Sequence, residues 1–279
     1  MFFFILIITM AAIFIVKYYK IYYHSYMNFA EFKQRYCSSF IETNKDCPLQ
    51  TIDMFNKCYD DKKFHMKLDK DYLSIYLYIN DFVCQSSPYV NRRGPVCPFM
   101  PRSQKQNSIY FFIASNDENN IEQRLTKIVL QCRYDFLHKL KPTKKKIEVL
   151  VYKCLIILIR SSNISHSMIN QIQTDLKPGF VLQHGLMLGE FHESSNSGAN
   201  RNENFYPLRT RVPLLVIRYL VADDIIFLNQ KEKYPVSIRL NMVKKYIQLY
   251  HSGILYRAKS SHLEFANSIL EELNSSVEH

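Results

Sequence analysis

Two stretches of this 279-residue chain carry side chains whose types and spacing suit chemistry. The first is a proline segment, residues 92–102, whose prolines and one glycine hold an irregular backbone around Cys97. Its three arginines are Arg92, Arg93 and Arg102. Nearby guanidinium groups favour the thiolate form of a cysteine, which suits a nucleophile, a redox group or a metal ligand. A buried structural cysteine in a proline turn explains the same pattern, and the sequence leaves both interpretations open.

The second stretch begins at Gly179 and contains two histidines. Four of the six glycines of the chain lie between residues 179 and 218, which indicates sharp turns or close approach of the backbone to a ligand. On a straight strand, His184 and His192 would lie about 26 Å apart, too far to share a metal ion. Glu190 and His192 alternate onto one strand face, where they suit an acid–base pair or one metal ligand each. The alternative for His192 is a hydrogen-bonded side chain at a strand end.

Three arginines follow the polar loop formed by residues 193–204. They are Arg209, Arg211 and Arg218. Guanidinium groups match carboxylates and phosphates in shape and charge, so the sequence predicts a small anionic ligand. The alternative is structural ion pairing with a carboxylate of the same chain, namely Asp223, Asp224 or Glu190.

The overall charge and the missing motifs narrow the class of function. The formal net charge of +11 predicts attraction to anionic surfaces. No signature of nucleic-acid recognition accompanies this charge, so we expect a lipid surface as partner and no nucleic acid. Serine-hydrolase elbow, zinc-protease, phosphate-binding-loop and dinucleotide-binding motifs are also missing. The seven cysteines lack short paired spacing, which argues against a disulfide framework and favours a reducing compartment.

The first 24 residues are predicted to form a membrane anchor with an interfacial flank. Residues 2–16 are continuously apolar and, with the tyrosine-rich continuation to residue 23, form a helix of about 33 Å, enough to cross a bilayer. Lys17 and Lys20 follow the apolar run and no charged side chain precedes it, which predicts a single-pass protein with a cytoplasmic body. A cleaved signal peptide is the alternative, although no basic start or small-residue cleavage pattern is present.

Residues 25–279 are predicted to form one soluble α+β domain, in which a mixed or antiparallel sheet is covered by helices. Apolar residues at helical spacing predict six helices near 29–42, 49–66, 118–140, 163–176, 236–251 and 260–275, with Asn119, Asn163 and Ser260 as caps. Runs rich in β-branched and aromatic residues predict strands at 108–114, 147–158, 212–220 and within 180–191.

Three blocks of residues together resemble an uncharacterised family of domains found mainly in bacteria. The blocks are GPVCPF (94–99), GLMLGEFH (185–192) and PLRTRVPLLVIR (207–218). The resemblance covers about residues 85–250 and leaves the N-terminal anchor outside. It implies a shared fold and shared pocket residues, and it brings no established activity.

A fainter similarity is to bacterial haem-dependent N-hydroxylases of small amino-acid-like substrates. It implies His192 or His184 as the axial haem ligand, with Cys97 a weaker candidate. Arg209 or Arg211 would then meet carboxylates of the haem or the substrate. The sequence therefore supports two hypotheses. One is a membrane-tethered redox enzyme acting on a small anionic substrate; the other is a non-catalytic module that binds an anionic ligand or a protein partner.

Overall fold

The computed structural model describes residues 26–28, 30–31, 70–115, 120–140, 147–161 and 163–276. A five-stranded sheet lies at the centre of this part of the chain. Its strands are β1 (Tyr26–Asn28), β2 (Ile109–Ser115), β3 (Cys154–Arg160), β4 (Leu186–Phe191) and β5 (Leu214–Tyr219). Their order across the sheet is β1-β2-β3-β5-β4, which makes β4 an edge strand.

The sheet is mixed, as the sequence predicts. β2 and β3 run parallel, with Ile109 opposite Cys154, because the long helix between them returns the chain to the same edge. The other three pairs are antiparallel, and Cys154 is opposite Arg218 where β3 meets β5. The prediction of an α+β fold with helices packed on a mixed or antiparallel sheet is therefore confirmed.

Both faces of the sheet are covered, which explains why β3 is apolar from Cys154 to Ile159 and not alternating. On the first face, Ile156 and Leu158 pack against α1 (Lys70–Leu77) and the π-helix that continues it, Tyr78–Val83. On the second face, Leu155 and Ile157 pack against two long helices. These are α3 (Ile121–His138) and α5 (His166–His184).

A further helical layer packs against the C-terminal part of α5. It consists of α7 (Val236–His251) and α8 (Ser260–Ser275). Val181 of α5 shares a buried apolar cluster with Met242 and Tyr246 of α7 and with Ile269 of α8. The short helices are α2 (Met100–Lys105), α4 (Ile147–Leu150) and α6 (Ile225–Leu228).

Two predicted strands differ from the structure. The segment 180–191 is strand only from Leu186, because α5 continues to His184 and ends where Gly185 adopts a positive φ of 62°. The Leu249 side chain would lie 3.1 Å from a Cβ at this position, so glycine suits the turn in space as well as in conformation. The segment 147–158 begins with one helical turn, α4, and becomes strand at Cys154.

The predicted caps also differ. α5 is capped by Ser165, whose hydroxyl accepts from the Met168 N–H, and not by Asn163. Ser260 is the first residue of α8, and Asn119 lies outside the described residues. The predicted helix at 49–66 and the anchor at 1–24 also lie outside them. No helix in the described ranges is sufficiently long and apolar to cross a bilayer.

Candidate functional site

A polar seam lies between α5 and the edge strand β4. The sharp turn at Gly185 folds the strand back along the helix, so residues spaced three or four apart on α5 face alternate residues of β4. The Gln173 side-chain N–H donates to the Leu188 carbonyl at 2.9 Å and links the two elements. The seam consists of Asn170, Gln173, Lys177, Glu190 and His192, together with Lys233 and Tyr234 from the loop that follows α6.

His192 forms the end of the seam nearest the start of α5. Its side chain is 1% exposed, and both ring nitrogens have hydrogen-bond partners. Nε2 lies 2.8 Å from Asn170 Oδ1, and Nδ1 lies 3.2 Å from Ser194 Oγ. Burial lowers the pKa of His192, and the neighbouring His166 lowers it further, while Glu190 opposes the shift. The neutral imidazole is therefore the form that this environment favours at neutral pH.

Ser194 connects the two histidines and is exposed to solvent. Its Oγ lies 2.7 Å from His166 Nδ1, and the His166 ring stacks on the His192 ring with centroids 4.6 Å apart. Because an amide oxygen accepts, Asn170 assigns the proton of His192 to Nε2. His192 Nδ1 then accepts from the Ser194 hydroxyl, whose oxygen accepts in turn from His166 Nδ1–H.

The interior of the seam contains three charged side chains. Glu190 is buried and accepts from Lys233 Nζ at 2.8 Å. Lys177 Nζ donates to the Phe227 carbonyl at 2.8 Å and to the Gln230 side chain at 3.2 Å. Burial lowers the pKa of Lys177 to about 8, with Glu190 opposing the shift. Lys177 is therefore closer to its neutral form at neutral pH than a surface lysine is.

Two buried polar atoms of the seam have no hydrogen-bond partner in the described part of the chain. They are Gln173 Oε1 and the Tyr234 hydroxyl oxygen. Thr174 is near enough to lower the pKa of Tyr234, but it lacks hydrogen-bond geometry, and burial raises that pKa far more strongly. Since unpartnered buried polar groups are costly, their concentration here marks the seam as unusual within the protein.

Arg209 forms hydrogen bonds with the polar loop, residues 193–204, which follows His192. Its Nε donates to the Ser195 carbonyl at 2.9 Å, its Nη2 lies 3.3 Å from Asn196 Oδ1, and its guanidinium lies over the Tyr206 ring. The arginine thereby orders the loop directly after Ser194. Arg211, also predicted to bind an anion, is exposed in the bend before β5.

Arg218 forms an ion pair close enough to the seam for its charge to help lower the pKa of Lys177. It forms a bidentate pair with the buried carboxylate of Asp224, with both N–O distances at 2.6 Å. The Val221 N–H donates to the same carboxylate at 2.8 Å. Arg218 therefore follows the alternative of structural ion pairing, and the pair attaches the end of β5 to the turn before α6.

Cys97 lies over the first face of the sheet, close to four other ionisable side chains. Burial, with a contribution from Cys97, raises the pKa of Cys84 and of Cys154 to about 12 each. The same neighbourhood includes Tyr78 and Arg218. The arginines of the proline segment have other roles. Arg92 donates to the carbonyls of Pro95 and Val96, and Arg102 lies over the Tyr152 ring.

The sequence stretches carrying Cys97 and His192 touch each other, but their key side chains do not meet. Near the proline segment, the Asn91 side chain donates to the Arg201 carbonyl, and Tyr89 stacks on Phe205. Glu190 and His192 nevertheless lie on the second face of the sheet, and Cys97 lies on the first. The structure thus places Glu190 and His192 on one face, bonds Arg209 to the loop that follows His192, and separates this face from Cys97.

His184 is the last residue of α5 and lies at the opposite end of β4 from His192. It is exposed, and its pKa is lowered by partial burial and by three nearby basic groups, Arg133, His138 and Lys245. It therefore takes no part in the seam.

The family of the chain follows from comparison with known proteins. A model of a domain of unknown function, DUF6875, matches residues 73–261, which is more than half of the chain. The chain belongs to this family. No curated protein and no solved structure matches it significantly. The prediction of an uncharacterised domain family is confirmed at this level, and the family contributes no activity.

A haem group does not fit His192 of this family member as its ring is held in the structure. Iron needs a free lone pair on an imidazole nitrogen. On His192 one ring nitrogen donates to Asn170 and the other accepts from Ser194, so ligation requires one of these bonds to break. Among the described residues, no group of three or more His, Cys, Asp or Glu is placed to hold a metal ion.

Several residues of the site have no motif in the sequence. They are His166, Asn170, Gln173, Lys177, Ser194, Lys233 and Tyr234. Asn170, Gln173 and Lys177 are three and four positions apart, a spacing that places them on one face of a helix and predicts a polar stripe. The sequence would predict that this stripe faces solvent, as polar residues of a helix usually do, and gives no indication that it packs against β4.

Proposed function

We propose that this protein is held at a membrane by residues 1–24 and that its α+β domain binds and acts on a small anionic molecule beside His192. The observation that carries the proposal is the exposed Ser194 hydroxyl, hydrogen-bonded to two stacked imidazoles next to an arginine-ordered loop. Histidine is the side chain that most often transfers protons in enzymes, and the ring of His192 is buried and held by hydrogen bonds at both nitrogens.

The electrostatic surroundings support an anionic ligand. His166 is the first residue of α5, a helix of 19 residues, so the partial positive charge of the helix start lies beside Ser194. Arg209 adds a guanidinium next to the same loop, and its Nη1 has no protein partner within the described chain. The Arg209 guanidinium and the positive start of α5 are groups that favour carboxylates and phosphates.

The anchor part of the proposal is supported by sequence alone. The apolar run at residues 2–16 and the basic residues after it favour insertion with the domain on the cytoplasmic side. The expected result is that the full chain stays in the membrane fraction after alkaline carbonate extraction. A chain that begins at residue 25 should be released, and retention of that shorter chain would contradict the anchor.

Anion binding can be measured at the histidines themselves. The full chain in detergent micelles, with isotope-labelled histidine, is titrated with inorganic phosphate and with acetate while imidazole NMR signals are followed. We expect saturable shifts at His166 and His192, and none at the exposed His251 at the end of α7. Shifts that grow linearly, or that appear equally at His251, would contradict a specific site. Arg209→Gln should weaken the binding.

A further inference from the structure

We infer that Ser194 is a nucleophile for which His192 is the general base, and that the site catalyses acyl transfer from an ester or thioester. The inference deepens the proposed function, since it names the reaction class and the attacking atom at the same site. No serine-hydrolase motif surrounds Ser194, so the assignment rests on geometry alone.

The direction of the hydrogen bonds carries the first step. His192 Nε2–H is fixed by Asn170 Oδ1 at 2.8 Å, which leaves Nδ1 as an acceptor 3.2 Å from Ser194 Oγ. A nucleophilic serine needs such an acceptor, because its hydroxyl must lose a proton as it attacks. Asn170 is the positioning residue that selects this tautomer. The arrangement follows the general logic of nucleophile, base and orienting group.

The charges nearby suit the imidazolium that forms during attack. The pKa of His192 is lowered mainly by burial and by His166, and Glu190 is the carboxylate that favours its protonated form. Glu190 is partly neutralised by Lys233, at 2.8 Å, so His192 remains neutral at rest. When Nδ1 takes the serine proton, the bond to Asn170 is kept, and the carboxylate stabilises the new charge.

The reaction balances with water as the only co-substrate. Ser194 Oγ bonds to the carbonyl carbon of the substrate while its proton passes to His192 Nδ1. The bond from that carbon to the leaving alkoxide or thiolate breaks, and His192 returns the proton to this group. Water then attacks the acyl-serine, gives its proton to His192, and releases a carboxylic acid as Ser194 recovers its hydrogen.

A substrate can reach Ser194 from solvent, and the surroundings of Ser194 favour the negative charge that develops during attack. Ser194 and the preceding Glu193 are exposed, whereas His192 and Ser195 are buried. Ser194 Oγ is hydrogen-bonded to the ring of His166, the first residue of α5, so the positive end of this helix lies on the side of Ser194. This partial charge suits the negative oxygen of a tetrahedral intermediate.

The test is covalent labelling with an alkyl fluorophosphonate, which reacts with activated serines. The full chain in detergent micelles is incubated with the probe, and the modified residue is identified by peptide mass spectrometry. We expect one adduct, on Ser194, and none in Ser194→Ala. The matched control is Ser197→Ala in the same loop, because no contact of Ser197 with either imidazole is seen within the described chain. This control should label like the wild type.

Two further variants test whether Ser194 is labelled because His192 activates it or only because it is exposed. His192→Gln should slow labelling by about 100-fold or more, the usual contribution of a general base. Asn170→Asp places a carboxylate behind the base and should speed labelling above the wild-type rate at pH 7, with the pH profile displaced to higher pH. Circular dichroism establishes that each variant is folded. Absence of the Ser194 adduct in folded wild type, or equal rates in all variants, overturns the inference.

Failure of this inference is distinguishable from failure of the proposed function. Saturable phosphate shifts at His166 without labelling of Ser194 would leave an anion site that lacks a nucleophile. Labelling of Ser194 without any response to phosphate or acetate would keep the nucleophile and overturn the anionic substrate class. Hydrolysis of neutral against anionic nitrophenyl esters then identifies the preferred substrate.

Discussion

The buried position of His192 predicts a measurable dependence of stability on pH. The pKa of its side chain lies below the ordinary value of 6.5 in the folded protein because burial and His166 disfavour the charged ring. Below pH 6.5 the unfolded chain therefore takes up a proton that the folded protein does not. Unfolding is favoured in this range, so stability from this group is fully present above pH 6.5 and falls as the pH decreases towards the folded pKa.

The magnitude follows from proton linkage. One proton bound only by the unfolded state changes the free energy of unfolding by at most about 1.4 kcal/mol per pH unit. His192→Gln removes this contribution and should cost about 1–3 kcal/mol at pH 7.5, since the bonds to Asn170 and Ser194 are lost or weakened. The difference between wild type and variant should shrink as the pH falls from 6.5 to 5.5.

The assay is urea unfolding of the full chain, followed by circular dichroism at pH 7.5, 6.5, 6.0 and 5.5. His251→Gln is the control, because His251 is exposed and its substitution should leave the wild-type profile unchanged. Parallel pH profiles for wild type and His192→Gln would refute the reasoning, because they would mean that His192 has the same pKa in the folded and unfolded chains.

Further predictions concern packing and ion pairing away from the two imidazoles. Tyr234→Phe should leave the thermal midpoint unchanged or raise it, because its buried hydroxyl has no partner in the described chain, whereas Tyr246→Phe should cost about 1 kcal/mol by losing the bond to the Ala222 carbonyl. A lowered midpoint for Tyr234→Phe would contradict this assignment. Gly185→Ala should cost about 1–2 kcal/mol in urea unfolding, since φ is 62° there, and an unchanged midpoint would argue against the turn. Asp224→Ala should cost about 2–3 kcal/mol, because a partly exposed Arg218 loses its bidentate partner, and a loss below about 0.5 kcal/mol would contradict this estimate.

The elements that depend on local pattern were predictable from the sequence. α7 and α8 have the bounds predicted from apolar spacing, 236–251 and 260–275, because one face of each helix packs on the core. The apolar run at 108–114 likewise appears as β2. The error at 180–191 arose because a helix buried on several sides and a buried strand share an apolar composition, and only the turn at Gly185 separates them.

The site was predictable only in part. Glu190 and His192 alternate on one strand, so their common face followed from local geometry. Asn170, the partner of His192, comes from α5, and Lys233, the partner of Glu190, comes from a later loop. Both contacts depend on tertiary packing. The sequence predicts the same anion-binding role for Arg209 and Arg218. In the structure, Arg209 donates to oxygens of the polar loop and Arg218 donates to Asp224. Only the fold distinguishes these two roles.

The tautomer of His192 tests the central claim most directly. Two-dimensional NMR that correlates ring nitrogens with ring protons, on the full chain in micelles at pH 7.5, distinguishes the three states of the imidazole. We predict a neutral His192 with its proton on Nε2, bonded to Asn170, and with Nδ1 free to accept from Ser194. A proton on Nδ1, in either the neutral or the charged ring, would contradict the account, because His192 would then be unable to take the proton of Ser194.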